Sequence, residues 1–298
     1  MDESKRKPEE AVPVKKKKRQ FILSVLIIAL NMILFGQTLG NLILLPVKRL
    51  FPAMSPSWSF LLQYLSFIGI VVLVLLYCAL AEKPTFRSFR SAGHGGGRGN
   101  TLREFALGIL IGFLMNGACI LVAWLHGDLD FSVGRFDLLY MLVAFACVLV
   151  QSGAEELVTR GYILGVLRER YSIWIALAAN SLLFGFLHLF NNGITVLSMV
   201  NIILIGFALS LVVWLRGSLW MAVAVHTMWN YTQNFLFGLP NSGIVSQGSF
   251  LHLEAARGSV FYDAVFGVEG TLTAVLVEGL LCVGVWLLAR KKSAGGQD

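Results

Sequence analysis

The run LLYMLVAFACVLVQSGAEELVTRGYILGVLRER, Leu138 to Arg170, combines two kinds of chemistry that rarely sit together. Its first half is apolar enough for lipid, and Glu155, Glu156 and Arg160 follow directly. Each ionised side chain near the centre of a membrane helix costs about 2.5–3.5 kcal/mol on insertion scales, so such groups are found paired or facing a cavity. The composition makes lipid the solvent to consider. Of 298 residues, 56% are hydrophobic and 14% charged, against about 25% charged in soluble globular domains. The net charge of +7 is gathered at the ends of apolar runs instead of on one basic face. That placement argues against nucleic acid as a partner and for the bilayer.

A helix needs about 20 apolar residues to span the hydrocarbon layer. Outward from the quoted run, eight segments meet that need, roughly Phe21–Leu45, Trp58–Ala81, Leu102–Leu125, Asp137–Leu167, Ile173–Leu189, Thr195–Leu215, Ser218–Phe237 and Glu269–Ala289. The fourth is too long for one straight crossing, so either it bends at Gly153 or it runs on into the interface. With the N-terminus inside, the inner segments hold the basic tail, Lys83, Arg87, Arg90, Arg98, Arg103, Arg168, Arg170, Arg216, Arg290, Lys291 and Lys292. The outer ones hold only Lys48, Arg49, Arg135 and Arg257. Removing one span would invert every later loop and spoil this asymmetry. The expected fold is therefore all-α, a polytopic membrane helical bundle of about eight transmembrane helices with both termini cytoplasmic.

VKKKKRQ followed by FILSVLIIALNMILFG reads as a retained signal-anchor, because the apolar run is long and has no clear cleavage site. Residues 1–20 are expected to be a disordered basic cytoplasmic tail, 21–291 a transmembrane helical domain, and 292–298 a short cytoplasmic tail. GHGGGRG, residues 93–99, lacks the strand and helix of a phosphate-binding loop and reads as a flexible connection. Cys78, Cys119, Cys147 and Cys282 all lie in apolar runs without metal-ligand spacing and read as small buried hydrophobes.

Helical spacing sorts the polar residues within the spans. Glu156 and Arg160 are four apart and share a face, while Glu155 is turned about 100° from Glu156. His226 and Asn230 are again four apart, and Phe184 lies one turn before His188. At about 1.5 Å per residue from the cytoplasmic ends, Glu155 and Asn230 lie roughly 18 Å deep, His188 about 23 Å and His226 about 12 Å. These depths fall in one band of a hydrocarbon layer about 30 Å thick, so the groups can converge on one water-filled cavity. Asn180 and Asn234 read instead as hydrogen-bonding glue between helices. Glu156 with Arg160 fits a structural ion pair as well as a supporting one. Glu278, in the last span, is either a helix contact or a further cavity group.

A carboxylate beside an imidazole can hold a water and take its proton. An imidazole N–H and an asparagine amide on one helical stripe can donate to one developing oxyanion. Together they supply what hydrolysis of a peptide bond by water requires, and no serine or cysteine stands in an obvious triad. Zinc held by Glu155, His188 and His226 is the rival arrangement, although the H-E-x-x-H spacing is absent.

EELVTR fits E-E-x-x-x-R, FGFLH fits F-x-x-x-H and HTMWN fits H-x-x-x-N. In order and spacing, these resemble the three motifs of the CPBP family of intramembrane proteases (CAAX proteases and bacteriocin-processing enzymes, the Abi family). The resemblance covers roughly residues 138–237, which would form the protease core. It implies that Glu155 activates water with His188, that His226 and Asn230 form the oxyanion site, and that Glu156 and Arg160 support the first motif. It also implies a glutamate-dependent mechanism with no cofactor, in which zinc is possible but not favoured. The substrate would be a peptide or membrane protein; the compact, basic-tailed chain itself reads as a multi-pass protein of a prokaryotic plasma membrane. Two readings from other classes remain beside it. One is a non-catalytic membrane scaffold or bacteriocin self-immunity factor. The other is a proton-coupled transporter, against which stands the absence of repeat symmetry.

Overall fold

The computed structural model describes residues 21–83, 85, 99–134 and 136–294. The expected basic tail (1–20), all of the glycine cluster but its last residue, and the final four residues lie outside them.

Helices dominate, and side-chain caps set where several begin. Thr101 accepts a hydrogen bond from the Glu104 amide, Asp137 from Tyr140, and Ser218 from Met221. Thr195 and Ser198 form a reciprocal capping box ahead of Val196–Arg216. These groups satisfy amides that the first helical turn leaves without partners. Val196–Arg216 ends on Gly217, whose φ of +68° suits the left-handed cap that glycine adopts without strain.

Among the described residues, six helical segments are long and apolar enough to cross a membrane: Ile22–Ile43, Pro56–Leu80, Leu102–Leu125, Leu138–Arg168, Val196–Arg216 and Leu272–Arg290. The chain is thus an all-α, multi-pass membrane bundle. The other two expected spans are also helical. Ile173–Leu187 is apolar but short, and Leu219–Tyr231 runs into a π-helical segment, Thr232–Leu236. Leu138–Arg168 does not change geometry at Gly153, which lies in regular α-helix. It widens into a π-helical segment over Leu157–Ile163 and then runs on to Arg168. A π-turn inside an α-helix is frequent at functional sites, and this one carries Arg160.

At one end of the bundle, Arg170 pairs with Glu82 at 3.0 Å and Arg216 grips Glu104 through two bonds of 2.9 and 2.7 Å. At the other end the connections form a two-stranded antiparallel ribbon, β1 (Leu129–Val133) against β2 (Leu251–Ala256), with a bulge at Asp130/Phe131. The sequence reading expected no strands. The ribbon holds because Leu129 joins a buried cluster with Trp229 and Tyr262, and the Phe131 ring meets Phe237 at 5.7 Å. The first helix crosses its neighbour closely at Gly40, where a β-carbon would collide with the Ser66 carbonyl.

Candidate active site

Seven helical segments and the connections between them enclose a cavity of about 590 Å³, and Glu155, His188, His226 and Asn230 all line it. Sequence spacing thus brings together the four residues it singled out. Glu156 and Arg160 stand behind the wall, both buried.

The two adjacent glutamates have opposite surroundings. The Glu155 side chain is 23% exposed, and its Oε1 accepts from Gln151 Nε2 at 2.6 Å. Glu156 is fully buried, and its Oε1 accepts from Arg160 Nη1 at 2.8 Å and from His226 Nδ1 at 2.9 Å. Arg160 is held further by Thr159 Oγ1 at 2.9 Å, by the Gly206 carbonyl at 3.0 Å and by the Phe184 ring, whose centre lies 4.4 Å from the guanidinium carbon. Thr159 in turn donates to the Glu155 carbonyl at 2.6 Å. A buried charge pair is tolerated the better its donors and acceptors are met. This guanidinium has a carboxylate, a hydroxyl, a carbonyl and a ring, while Arg160 Nε and Glu156 Oε2 have no hydrogen-bond partner among the described residues.

His226 lies between the two carboxylates. Its Nδ1 faces Glu156, and its Nε2 stands 3.7 Å from Glu155 Oε2. That gap is too long for a direct hydrogen bond. An ionised carboxylate only accepts, so Nδ1 carries the proton. His188 is set the same way, because its Nδ1 lies 2.8 Å from the Phe184 carbonyl, another group that only accepts. Its Nε2 is then free to face the cavity as an acceptor. The motif spacing F-x-x-x-H acquires a physical meaning here: it places the ring one turn beyond the carbonyl that orients it.

Asn230 makes two long contacts through Nδ2, 3.3 Å to Ser152 Oγ and 3.4 Å to Gln151 Oε1. Its Oδ1 accepts from Asn241 at 3.2 Å. Asn180 bonds Ser210 on the next helix at 2.7 Å, and Asn234 ties Tyr64 to the carbonyls of Leu239 and Ile244. Both contacts join segments, as glue does. Glu278 is buried and lines the cavity.

Residues the sequence reading did not single out complete the wall. Gln151 lies four before Glu155, a spacing that could have found it. Asn241, Ser242 and Glu269 come from a loop and a helix edge, where no periodicity points inward. Among the described residues, no group of three or more His, Cys, Asp or Glu is arranged to hold a metal ion.

Residues 137–232 match the family model described as Type II CAAX prenyl endopeptidase Rce1-like. The matched segment holds all seven residues of the three motifs and stops short of Asn241 and Glu269. No curated protein matches the sequence. With six apolar spans, the match supports a multi-pass membrane protein with endopeptidase function in general.

Proposed function

We propose that the chain hydrolyses peptide bonds inside the membrane with a water activated by Glu155 and His188, without a metal. The observation that carries this reading is the placement of Glu155, His188, His226 and Asn230 around one cavity, with His226 held against the buried Glu156. Water bound between Glu155 and His188 Nε2 gives a proton to the Glu155 carboxylate as its oxygen attacks the substrate carbonyl. The resulting oxyanion is met by Asn230 Nδ2 and by His226 Nε2 when the imidazole is doubly protonated, with the Glu156 carboxylate as its counter-charge. The 3.7 Å between His226 Nε2 and Glu155 Oε2 suits two groups serving neighbouring oxygens of one tetrahedral carbon. As the C–N bond breaks, Glu155 returns its proton to the leaving amine, so one water is consumed per bond and the side chain is restored. The long contacts of Asn230 to Ser152 and Gln151 are ones a stronger acceptor would replace.

The substrate is a peptide or membrane protein that reaches the cavity from the bilayer or its surface. The charge asymmetry of the loops supports a cytoplasmic side for both termini, and on that reading the pairs Arg170–Glu82 and Arg216–Glu104 lie at the cytoplasmic end. The test compares protein termini by mass spectrometry in three matched strains: one without the gene, one with the wild type and one with Glu155→Ala at equal abundance. Termini that require the wild type support the reading and name the substrate. Their absence, with Glu155→Ala restoring any phenotype, replaces it with the scaffold.

A further inference from the structure

We propose that Glu269 is a positioning residue of this site, holding the Asn241–Ser242 turn and, through Asn241, setting which way the Asn230 amide faces. The proposal rests on the hydrolytic reading above for its catalytic meaning, but not for its geometry.

Glu269 sits just ahead of the last helix and collects four donors. Its Oε1 accepts from Trp229 Nε1 at 3.1 Å and Asn241 Nδ2 at 3.2 Å, and its Oε2 from the Ser242 amide at 2.5 Å and Ser242 Oγ at 2.8 Å. Ser242 has a φ of +48°, among the described residues the one positive value outside glycine. A non-glycine residue in that region costs free energy and persists when its surroundings over-determine it. Here Glu269 holds its amide and hydroxyl, while Asn191 Nδ2 donates to its carbonyl at 3.0 Å.

Donor and acceptor roles then propagate in one direction. A carboxylate accepts only, so Asn241 must present its NH₂ to Glu269. The second hydrogen of that NH₂ goes to Asn230 Oδ1 at 3.2 Å. With its oxygen committed there, Asn230 turns its own NH₂ toward Ser152, Gln151 and the cavity, where the proposed oxyanion forms. An asparagine amide is nearly symmetric in shape, so only such partners decide which end does the donating. Trp229 and Asn230 are adjacent on one helix, and Glu269 and Asn241 therefore clamp that helical turn from the loop side.

Replacing Glu269 with glutamine breaks the pattern. In either orientation the new NH₂ opposes a pair of donors, at Trp229 and Asn241 or at the two Ser242 groups. The test uses full-length protein in detergent micelles, labelled with ¹⁵N-asparagine. The Asn230 side-chain resonances are assigned by their loss in Asn230→Ala, and Asn180, bonded to Ser210 away from the loop, reports on the fold. In Glu269→Gln, the Asn230 NH₂ pair should shift and exchange with water about tenfold faster, with Asn180 unchanged. Asn241→Ala leaves the Trp229 and Ser242 bonds in place and should give the same response, which keeps the test open if Glu269→Gln does not fold.

On a terminus found as above, Glu269→Gln should lower kcat roughly ten- to a hundredfold with KM within about twofold. It should cost nothing more in an Asn230→Ala background. An Asn230 resonance unmoved in both variants, Asn180 moving along with it, or losses that multiply in the double variant would each overturn the proposal. If the wild type cleaves nothing, the protease reading fails while the resonances still decide the role of Glu269.

Discussion

Glu155 and Glu269 are carboxylates on the wall of one cavity, held by two different kinds of structure. Around Glu155 the supports are local: Gln151 one turn before, Thr159 one turn after, and Glu156 with Arg160 on the adjoining face. The backbone ladder of one helix fixes them all. Around Glu269 the donors come from residues 229, 241 and 242 and are joined only by folding of a loop. A helix can lose a functional group and keep its shape, because its own hydrogen bonds define that shape. A loop turned at a positive φ depends on the side chains that hold it. The same substitution, carboxylate to amide, should therefore remove chemistry in the first region and geometry in the second.

The sharpest way to break this contrast is Glu155→Gln. The rate of terminus formation should fall by about 10²–10⁴, the usual worth of a positioned general base. The melting temperature should stay near wild type, because the side chain is part-exposed and its one short contact, with Gln151, has a partner that can rotate. A large drop in melting temperature would mean that Glu155 is structural and the contrast is false.

Arg160→Ala tests the adjoining face of the same helix. It leaves Glu156 buried with His226 as its remaining partner, and loss of one member of a buried pair costs about 3–5 kcal/mol. Urea denaturation in mild detergent should read that loss directly. The double change Glu156→Gln with Arg160→Met should recover most of the stability, since a neutral pair of similar volume needs no counter-charge. It should not recover the rate. The introduced glutamine would still accept from His226 Nδ1, but would no longer supply a counter-charge to the protonated ring that the proposed oxyanion site uses. Recovery of both quantities would reduce Glu156 and Arg160 to a structural pair alone.

Legibility in the sequence follows the same divide. Pairing of Glu156 with Arg160, the shared face of His226 and Asn230, and the convergence of all four cavity residues follow from a 3.6-residue period and a 1.5 Å rise. His226 was the exception in its partner. Spacing placed it with Asn230, but its Nδ1 reaches Glu156 seventy residues away, a contact set by how two helices cross. The π-segment at Leu157–Ile163 is also illegible, because its β-branched residues and Gly161 occur equally in regular membrane helices and no residue type signals the wider turn. Asn241, Ser242 and Glu269 were hidden for another reason. An acidic residue at the edge of an apolar span reads as a headgroup-level charge until the loop that supplies its four donors is seen folded over it. The ribbon β1–β2 escaped for a related reason, since five or six residues of alternation in a polar connection carry little signal without the aromatic contacts that anchor them.

Asp128, in the connection before β1, extends the contrast to the loop end of the molecule with the smallest effect. Its buried Oδ2 accepts from Ser259 Oγ at 2.5 Å and lies 3.0 Å from His126 Nδ1, and its backbone carbonyl accepts from the Arg257 amide at 2.8 Å. These bonds tie the end of one helix to the chain leaving β2. Burial alone would raise its pKa, but the Ser259 and His126 hydrogen bonds, with the charges of His126 and Arg257, bring it below the usual carboxylate range. The folded protein then binds this proton less readily than the unfolded chain, so the group stabilises the fold when ionised. That contribution is complete above about pH 4, the unfolded value, and is lost as pH falls through the lower folded value. Asp128→Asn should cost about 1 kcal/mol at pH 7, since its amide oxygen still serves one donor. Compared between pH 7 and pH 3, the gap in melting temperature between variant and wild type should close as the medium becomes acidic. A gap that stays constant with pH would mean that the carboxylate acts here by shape alone, and that this loop, unlike the one around Glu269, is not held by an acceptor that must be charged.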